Sequence, residues 1–171
     1  MQHFGELLRT DSQDEHWQSA RHALQRFIEQ SRAPERSKKL VALHDTDADG
    51  VTAGVVWQRA CERLGFENVA RVLPGRERNA WEITVRERVA DAHPSTLFVM
   101  DLGSQNAPVL EKVPTCFIDH HRPEGVPPGD VLISGYSWNP IPNTSLMIYE
   151  LFGALTELDD LDWVAAIGTF S

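Results

Sequence analysis

The chain has 171 residues, 16 of them Lys or Arg and 25 Asp or Glu, for a formal net charge of −9. That length fits one domain with a real core, and the 42% hydrophobic content excludes a charge-dominated disordered chain. No apolar run reaches the roughly 18 residues of a membrane span, and residues 1–17 lack the basic and apolar regions of a signal peptide. The acidic balance argues against a surface that coats nucleic acid, yet allows an acidic site that meets phosphates through bound cations. Two cysteines, Cys61 and Cys116, lie in apolar surroundings and read as buried, reduced thiols of a cytoplasmic protein.

Residues 13–31 read as a helix, with Trp17, Ala20, Leu24, Phe27 and Ile28 on one stripe. After a polar connector, Leu40 to Leu43 form a short apolar strand, and residues 50–66 form a helix stopped by Gly65. A strand over 67–73 ends at Pro74-Gly75, and a helix over 79–91 ends before Pro94. Residues 96–100 and 115–118 are two more strongly apolar strands, with a short helix expected over 108–113 between them. Residues 131–133 form a last strand. Asn143 caps a helix running through Leu155, and a final helix starts near Asp160 or Leu161. Strands alternating with helices give an α/β fold, a mostly parallel sheet with helices on both faces. No linker divides residues 1–171, so one domain is expected. Trp57, Trp81 and Trp163 fall in helical patterns as core residues, and Trp138 anchors a loop. His3, His16, His22 and His93 read as surface.

Three of the apolar strands end alike. The first runs into His44-Asp45-Thr46-Asp47-Ala48-Asp49-Gly50, the second into Asp101-Leu102-Gly103, and the third into Asp119-His120-His121. Open parallel sheets bind ligands just beyond the carboxyl ends of their strands. If these strands are neighbours, five carboxylates and up to three imidazoles converge and require a compensating cation. Carboxylates and imidazoles without thiolate suit Mn²⁺, Mg²⁺ or Co²⁺, and a central carboxylate could bridge two such ions. Two rival readings fit less of the pattern. An EF-hand loop starting at Asp45 needs a Glu at its twelfth position, where Val56 stands. An aspartyl-phosphate phosphatase of the haloacid-dehalogenase type would use Asp47 and Asp49, with Asp159-Asp160 as its later acidic pair, but leaves His120-His121 unexplained.

Residues 44–53, residues 100–103 and Ile118-Asp119-His120-His121 resemble the first three motifs of the DHH phosphoesterase superfamily. The AspGlyValThr continuation of the first is most similar to the RecJ-type exonuclease branch. The resemblance spans about residues 38–171 and implies a Rossmann-like domain with Mn²⁺- or Mg²⁺-dependent hydrolysis of phosphodiester or phosphoanhydride bonds. It implies two metal ions held by Asp47, Asp49, Asp101 and His120, with Asp101 bridging and Asp45 as a further ligand. Asp119 would orient His120, and His121 would contact the scissile phosphate. Asp101, His120 and His121 would thus be catalytic, acting with a water activated by the two metals.

Many relatives place a histidine two or four residues before the first main aspartate. Here His44 stands three before Asp47, which makes it an uncertain ligand. Residues 164–171 resemble the lead-in to a fourth motif, whose aspartate would follow Ser171. The chain therefore reads as an incomplete N-terminal domain without the family's C-terminal substrate-binding domain, weakly active or inactive alone. Arg76, Arg78 and Arg122 are candidate phosphate contacts, Arg122 foremost. The expected partner is single-stranded nucleic acid or a small phosphate ester, and no membrane. The alternatives are a hydrolase of dinucleotides or polyphosphate and a non-catalytic scaffold of the same fold.

Overall fold

The structure, a computed structural model, describes residues 15–32 and 39–170. The elements run α1 (Glu15–Ser31), β1 (Lys39–His44), α2 (Ala48–Arg63), β2 (Asn68–Val72), α3 (Ile83–Asp91), β3 (Thr96–Met100), β4 (Thr115–Asp119), β5 (Val131–Ser134), α4 (Thr144–Gly153), a 3₁₀ turn (Asp159–Leu161) and α5 (Asp162–Thr169). All neighbouring strands are parallel, in the order β2-β1-β3-β4-β5. This doubly wound order reverses direction between β1 and β3, where such sheets open a crevice at their carboxyl edge.

Leu40, Val41, Ala42 and Leu43 are fully buried, as are Leu97, Phe98, Met100, Cys116, Phe117 and Ile118. Buried on both faces, these strands need uninterrupted apolar runs, and that is what their sequences supply. Leu40, Ala42, Phe98, Met100, Cys116 and Ile118 face a core shared with α1, α2, α4 and α5. Val41, Leu43, Leu97, Val99 and Phe117 face a smaller core closed by Val85 and Val89 of α3 and by Val109. Trp17, Trp57 and Trp138 are buried, and the indoles of Trp17 and Trp138 meet edge to face with centroids 4.6 Å apart. Both cysteines are free and buried. Asp47 caps α2 by accepting the Gly50 N–H at 3.0 Å, and Gly65, at φ 85°, ends its overrun. Among the described residues, no helix is long and apolar enough to cross a membrane.

Four expectations need correction. The helix expected over 108–113 is a series of bends and a turn, bracketed by Pro108 and Pro114 and with Lys112 at φ 63°. Its apolar spacing instead lets Val109, Leu110 and Val113 cover the smaller core without helical pairing. Trp81 precedes α3 rather than lying within it. It stacks on Phe117 at 6.2 Å while its indole N–H donates to the Ala107 carbonyl at 2.7 Å. The helix expected through Leu155 ends at Gly153. Trp163, expected in the core, is 61% exposed. α5 turns its small side inward, because a Cβ on Gly168 would strike the side chains of Thr52 and Ser145, and that close approach sets the helical phase. His16, His22 and His93 are exposed, whereas His3 and residues 13 and 14 lie outside the described residues.

Candidate metal centre and cleft

The ladder register places the three acidic turns side by side. His44 pairs with Met100, and Met100 with Ile118, so Asp45, Asp101 and Asp119 come next in step across three adjacent strands. The ladder continues into the turns: the Asp45 N–H donates to the Met100 carbonyl, and the Asp101 N–H to that of Ile118, each at 3.3 Å. Gly50 must be glycine here, since a Cβ would lie 2.6 Å from the Asp45 carbonyl oxygen. Asp101 takes a left-handed backbone at φ 62°, a conformation aspartate tolerates better than most residues.

Two groups of ligand atoms form around this row. One comprises Asp45, Asp47 and Asp101; the other Asp101, His120 and His121. Within each group the atoms lie within 4.8 Å of one another. Asp101, almost fully buried, belongs to both. His120 Nε2 stands 3.4 Å from Asp101 Oδ1 and 3.8 Å from Asp49 Oδ2. Asp49 itself is 5% exposed and accepts from the backbone N–H groups of Thr144 at 3.0 Å and Ser145 at 2.6 Å. The Thr144 hydroxyl donates to Asp101 Oδ1 at 3.0 Å.

This crowding of carboxylates shows in their proton affinities. Burial, with the charge of Asp101 beside it, pushes the Asp49 carboxyl up to about 6. Burial also raises Asp101, against a hydrogen bond from His120. The reciprocal bond raises His120. Asp119 behaves differently. Burial pulls it upward, but the His121 ring, the His121 N–H and the Gly103 N–H together hold it below the ordinary carboxylate value. Its contact with His121 Nδ1, at 2.8 Å, raises that imidazole to about 9. Asp119 therefore takes its hydrogen bonds from His121 and Gly103, where the resemblance implied His120.

Arg78 closes one flank. Its guanidinium grips both oxygens of Asp45, with Nε 2.9 Å from Oδ1, and reaches Asp47 Oδ2 at 2.7 Å. His44 is fully buried, its Nδ1 2.8 Å from the Asp45 carbonyl and its ring against Gly54, where a Cβ would collide with it. Burial lowers its pKa, and it joins neither ligand group among the described residues. An open cleft of about 430 Å³ adjoins the row, lined among others by Asp45, Arg78, Trp81, Asp101, His121 and Arg122. Arg76 is exposed and outside that lining. Sequence reasoning missed Thr144 and Ser145. They follow the third motif by more than twenty residues, and their only signal is a polar cap ahead of an apolar helix.

The donor set suits a hard or borderline divalent cation, since oxygen and imidazole groups converge where unbalanced negative charge is costly. The sequence model of the DHH family, N-terminal domain, matches residues 38–167. The chain belongs to the DHH family. Its fold is that of a crystal structure of exonuclease RecJ bound to manganese, with a TM-score of 0.66 and 20% identity over 91% of this chain and 43% of that one. RecJ from Thermus thermophilus in complex with Mn²⁺ gives 0.62 at 21% identity, covering 91% of this DHH chain and 24% of that protein. An exopolyphosphatase-related protein from Bacteroides fragilis gives 0.54 at 14% identity over 89% and 48%. The DHH chain thus spans less than half the length of these solved structures. No curated protein matches it in sequence.

Proposed function

We propose that this DHH domain serves a metal-dependent phosphodiester hydrolase acting on single-stranded nucleic acid. The observation that carries the reading is the sharing of Asp101 by two ligand groups, Asp45–Asp47–Asp101 and Asp101–His120–His121. Asp47, Asp49, Asp101 and His120 would hold two divalent ions, Mn²⁺ or alternatively Mg²⁺ or Co²⁺, with Asp101 common to both and Asp45 a further ligand. Manganese in the two RecJ structures of the same fold supports that ion class. When bound, such ions supply an acidified water and neutralise charge on a phosphate.

The rest falls to the chain's own groups. Asp119 fixes the His121 ring by Nδ1 and, in the metal-free chain, raises its pKa to about 9. More than half exposed and lining the cleft, His121 presents a positive donor to a phosphate oxygen. Arg122, next in the chain, adds a second cation to the same wall. The Trp81 ring, locked on Phe117, gives the cleft a rigid apolar side. Substrate is the less constrained half of the proposal. The exonuclease fold supports a polynucleotide, and the exopolyphosphatase-related fold keeps small phosphate esters as the second reading.

Calorimetric titration of Mn²⁺ into the chain, with Asp101→Asn beside it, tests the metal half. Two ions should bind, and the variant should lose more than about 100-fold in affinity at both, beyond what loss of a supporting group usually costs. Retention of both sites by Asp101→Asn would refute the shared-ligand scheme. Mn²⁺-dependent cleavage of a single-stranded oligonucleotide, compared with a dinucleotide and polyphosphate, tests the substrate half. Preference for either small substrate would replace the nucleic-acid reading.

A further inference from the structure

α4 begins where the three acidic turns meet, and its first residue touches two of them. Asn143 caps the helix, its side-chain oxygen accepting the Leu146 N–H at 3.0 Å, while its amide nitrogen donates to the Gly168 carbonyl of α5. The cap thus satisfies the third N–H of the helix and leaves the first two, those of Thr144 and Ser145, for the two oxygens of Asp49. Thr144 then turns its hydroxyl to Asp101 Oδ1 at 3.0 Å. Thr144 and Ser145 are both fully buried. The junction beneath them is tight: the Thr52 hydroxyl donates to Ser145 Oγ at 2.8 Å, and Gly168 passes too close for any side chain.

We propose that Thr144 is a positioning residue that fixes the rotation of the Asp101 carboxylate through its hydroxyl, while its backbone N–H seats Asp49. One residue thereby sets the relative orientation of two carboxylates that arrive from different elements, Asp49 on the first turn of α2 and Asp101 just after β3. The geometry explains why a threonine serves at this place. The hydroxyl reaches Asp101 at 3.0 Å from a fully buried side chain. A carboxylate on a left-handed backbone has no helix or strand of its own to hold it, so its orientation depends on such outside bonds. The Thr144 hydroxyl, at 3.0 Å, approaches Asp101 Oδ1 more closely than His120 Nε2, at 3.4 Å, and ties that carboxylate to the start of α4 together with Asp49. The consequence for divalent-ion affinity rests on the proposed metal centre; the orientation of Asp101 itself does not.

Two variants and two readouts test this. Thr144→Val removes the hydroxyl and keeps the shape; Thr144→Ser keeps the hydroxyl and removes the methyl. In the metal-free chain, the side-chain carboxyl carbon of Asp101, followed by NMR, should shift in Thr144→Val and stay in place in Thr144→Ser. In Mn²⁺ titrations, Thr144→Val should weaken binding about tenfold, the usual range for a group that supports a ligand, and Thr144→Ser by less than about twofold. An unmoved Asp101 carbon in Thr144→Val overturns the inference, as does a Thr144→Ser chain that matches Thr144→Val in both readouts, since packing would then be the whole effect. Should Thr144→Val fail to fold, the Thr144→Ser chain decides: parental Asp101 signal and parental Mn²⁺ affinity support the hydroxyl, and loss of either overturns it. A parent chain that binds no Mn²⁺ while the Asp101 carbon still responds to Thr144→Val removes the metal centre and supports the positioning contact.

Discussion

Replacing Asp49 by asparagine in the metal-free chain separates the charge of the site from its hydrogen bonds. Asp49 accepts two backbone N–H groups, yet burial and repulsion from Asp101 outweigh them and hold its carboxyl at about 6 against an ordinary 3.8. A carboxyl that grips its proton more tightly when folded stabilises the fold fully below pH 3.8, and that contribution is lost as the pH rises through about 6. At pH 7 the loss amounts to about 3 kcal/mol. Asparagine carries no such charge. It keeps one oxygen for one N–H but turns an amide against the other, a cost of about 1–3 kcal/mol at every pH. In EDTA, urea unfolding across pH 4 to 7 should therefore show the parent losing about 2.4 kcal/mol relative to Asp49→Asn, with other titrating groups cancelling in the difference. Saturating Mn²⁺ at pH 7 should reverse the order, stabilising the parent by about 2.7 kcal/mol at a hundredfold excess over Kd. Identical pH slopes for the two metal-free chains would refute the claim that Asp49 is held charged against its environment.

Asp119→Asn should drop the His121 pKa from about 9 towards 6.5, read by NMR of the imidazole; an unchanged midpoint would show that Asp119 is not the cause. The stability carried by His121 is present below pH 6.5 and lost as pH rises through about 9, but the ring is more than half exposed, so under about 1 kcal/mol is at stake. Gly50→Ala should cost about 1–3 kcal/mol in urea unfolding and weaken Mn²⁺ binding, because its Cβ would press within 2.6 Å of the Asp45 carbonyl. A neutral result would mean that the turn yields. Trp57→Ala should cost about 3–5 kcal/mol by the same assay, as the indole is fully buried with its ring 5.3 Å from Phe98. A loss below about 1 kcal/mol would place that indole outside the core.

The row of Asp45, Asp101 and Asp119 was legible because each stands at the carboxyl end of a buried parallel strand, and such strands announce themselves as unbroken apolar runs. Register between parallel neighbours then needs no further information beyond equal spacing from the strand ends, and the three turns fall level. Phase on a short helix is harder. Trp163 and Val164 are adjacent and both apolar, and only the close contact of Gly168 with Thr52 and Ser145 decides which turns inward. Apolar spacing also cannot distinguish a helix from a coiled segment that buries the same side chains, which is the case at Val109, Leu110 and Val113. Hydrogen-bond partners lay further out of reach. Whether Asp119 bonds His120 or His121 depends on side-chain rotation after the strand ends, and Thr144 meets Asp101 across 43 residues of chain.

The arrangement also explains where the fold tolerates strain. Left-handed backbone costs about 1–2 kcal/mol for most residues and less for aspartate. One of the positions that carries it is Asp101, the residue common to both ligand groups. Asp49, beside it, is kept in a setting that resists its charge. Both burdens lie at the crevice between β1 and β3, where the sheet order reverses. Beneath them, the two cores on opposite faces of the sheet are dense with fully buried side chains. The strained residues are thus anchored from two sides: Asp101 by the ladder bond to Ile118, and both by the first turn of α4. A site built this way has its carboxylates gathered before any cation arrives, and a cation bound there would relieve a repulsion that folding has already imposed.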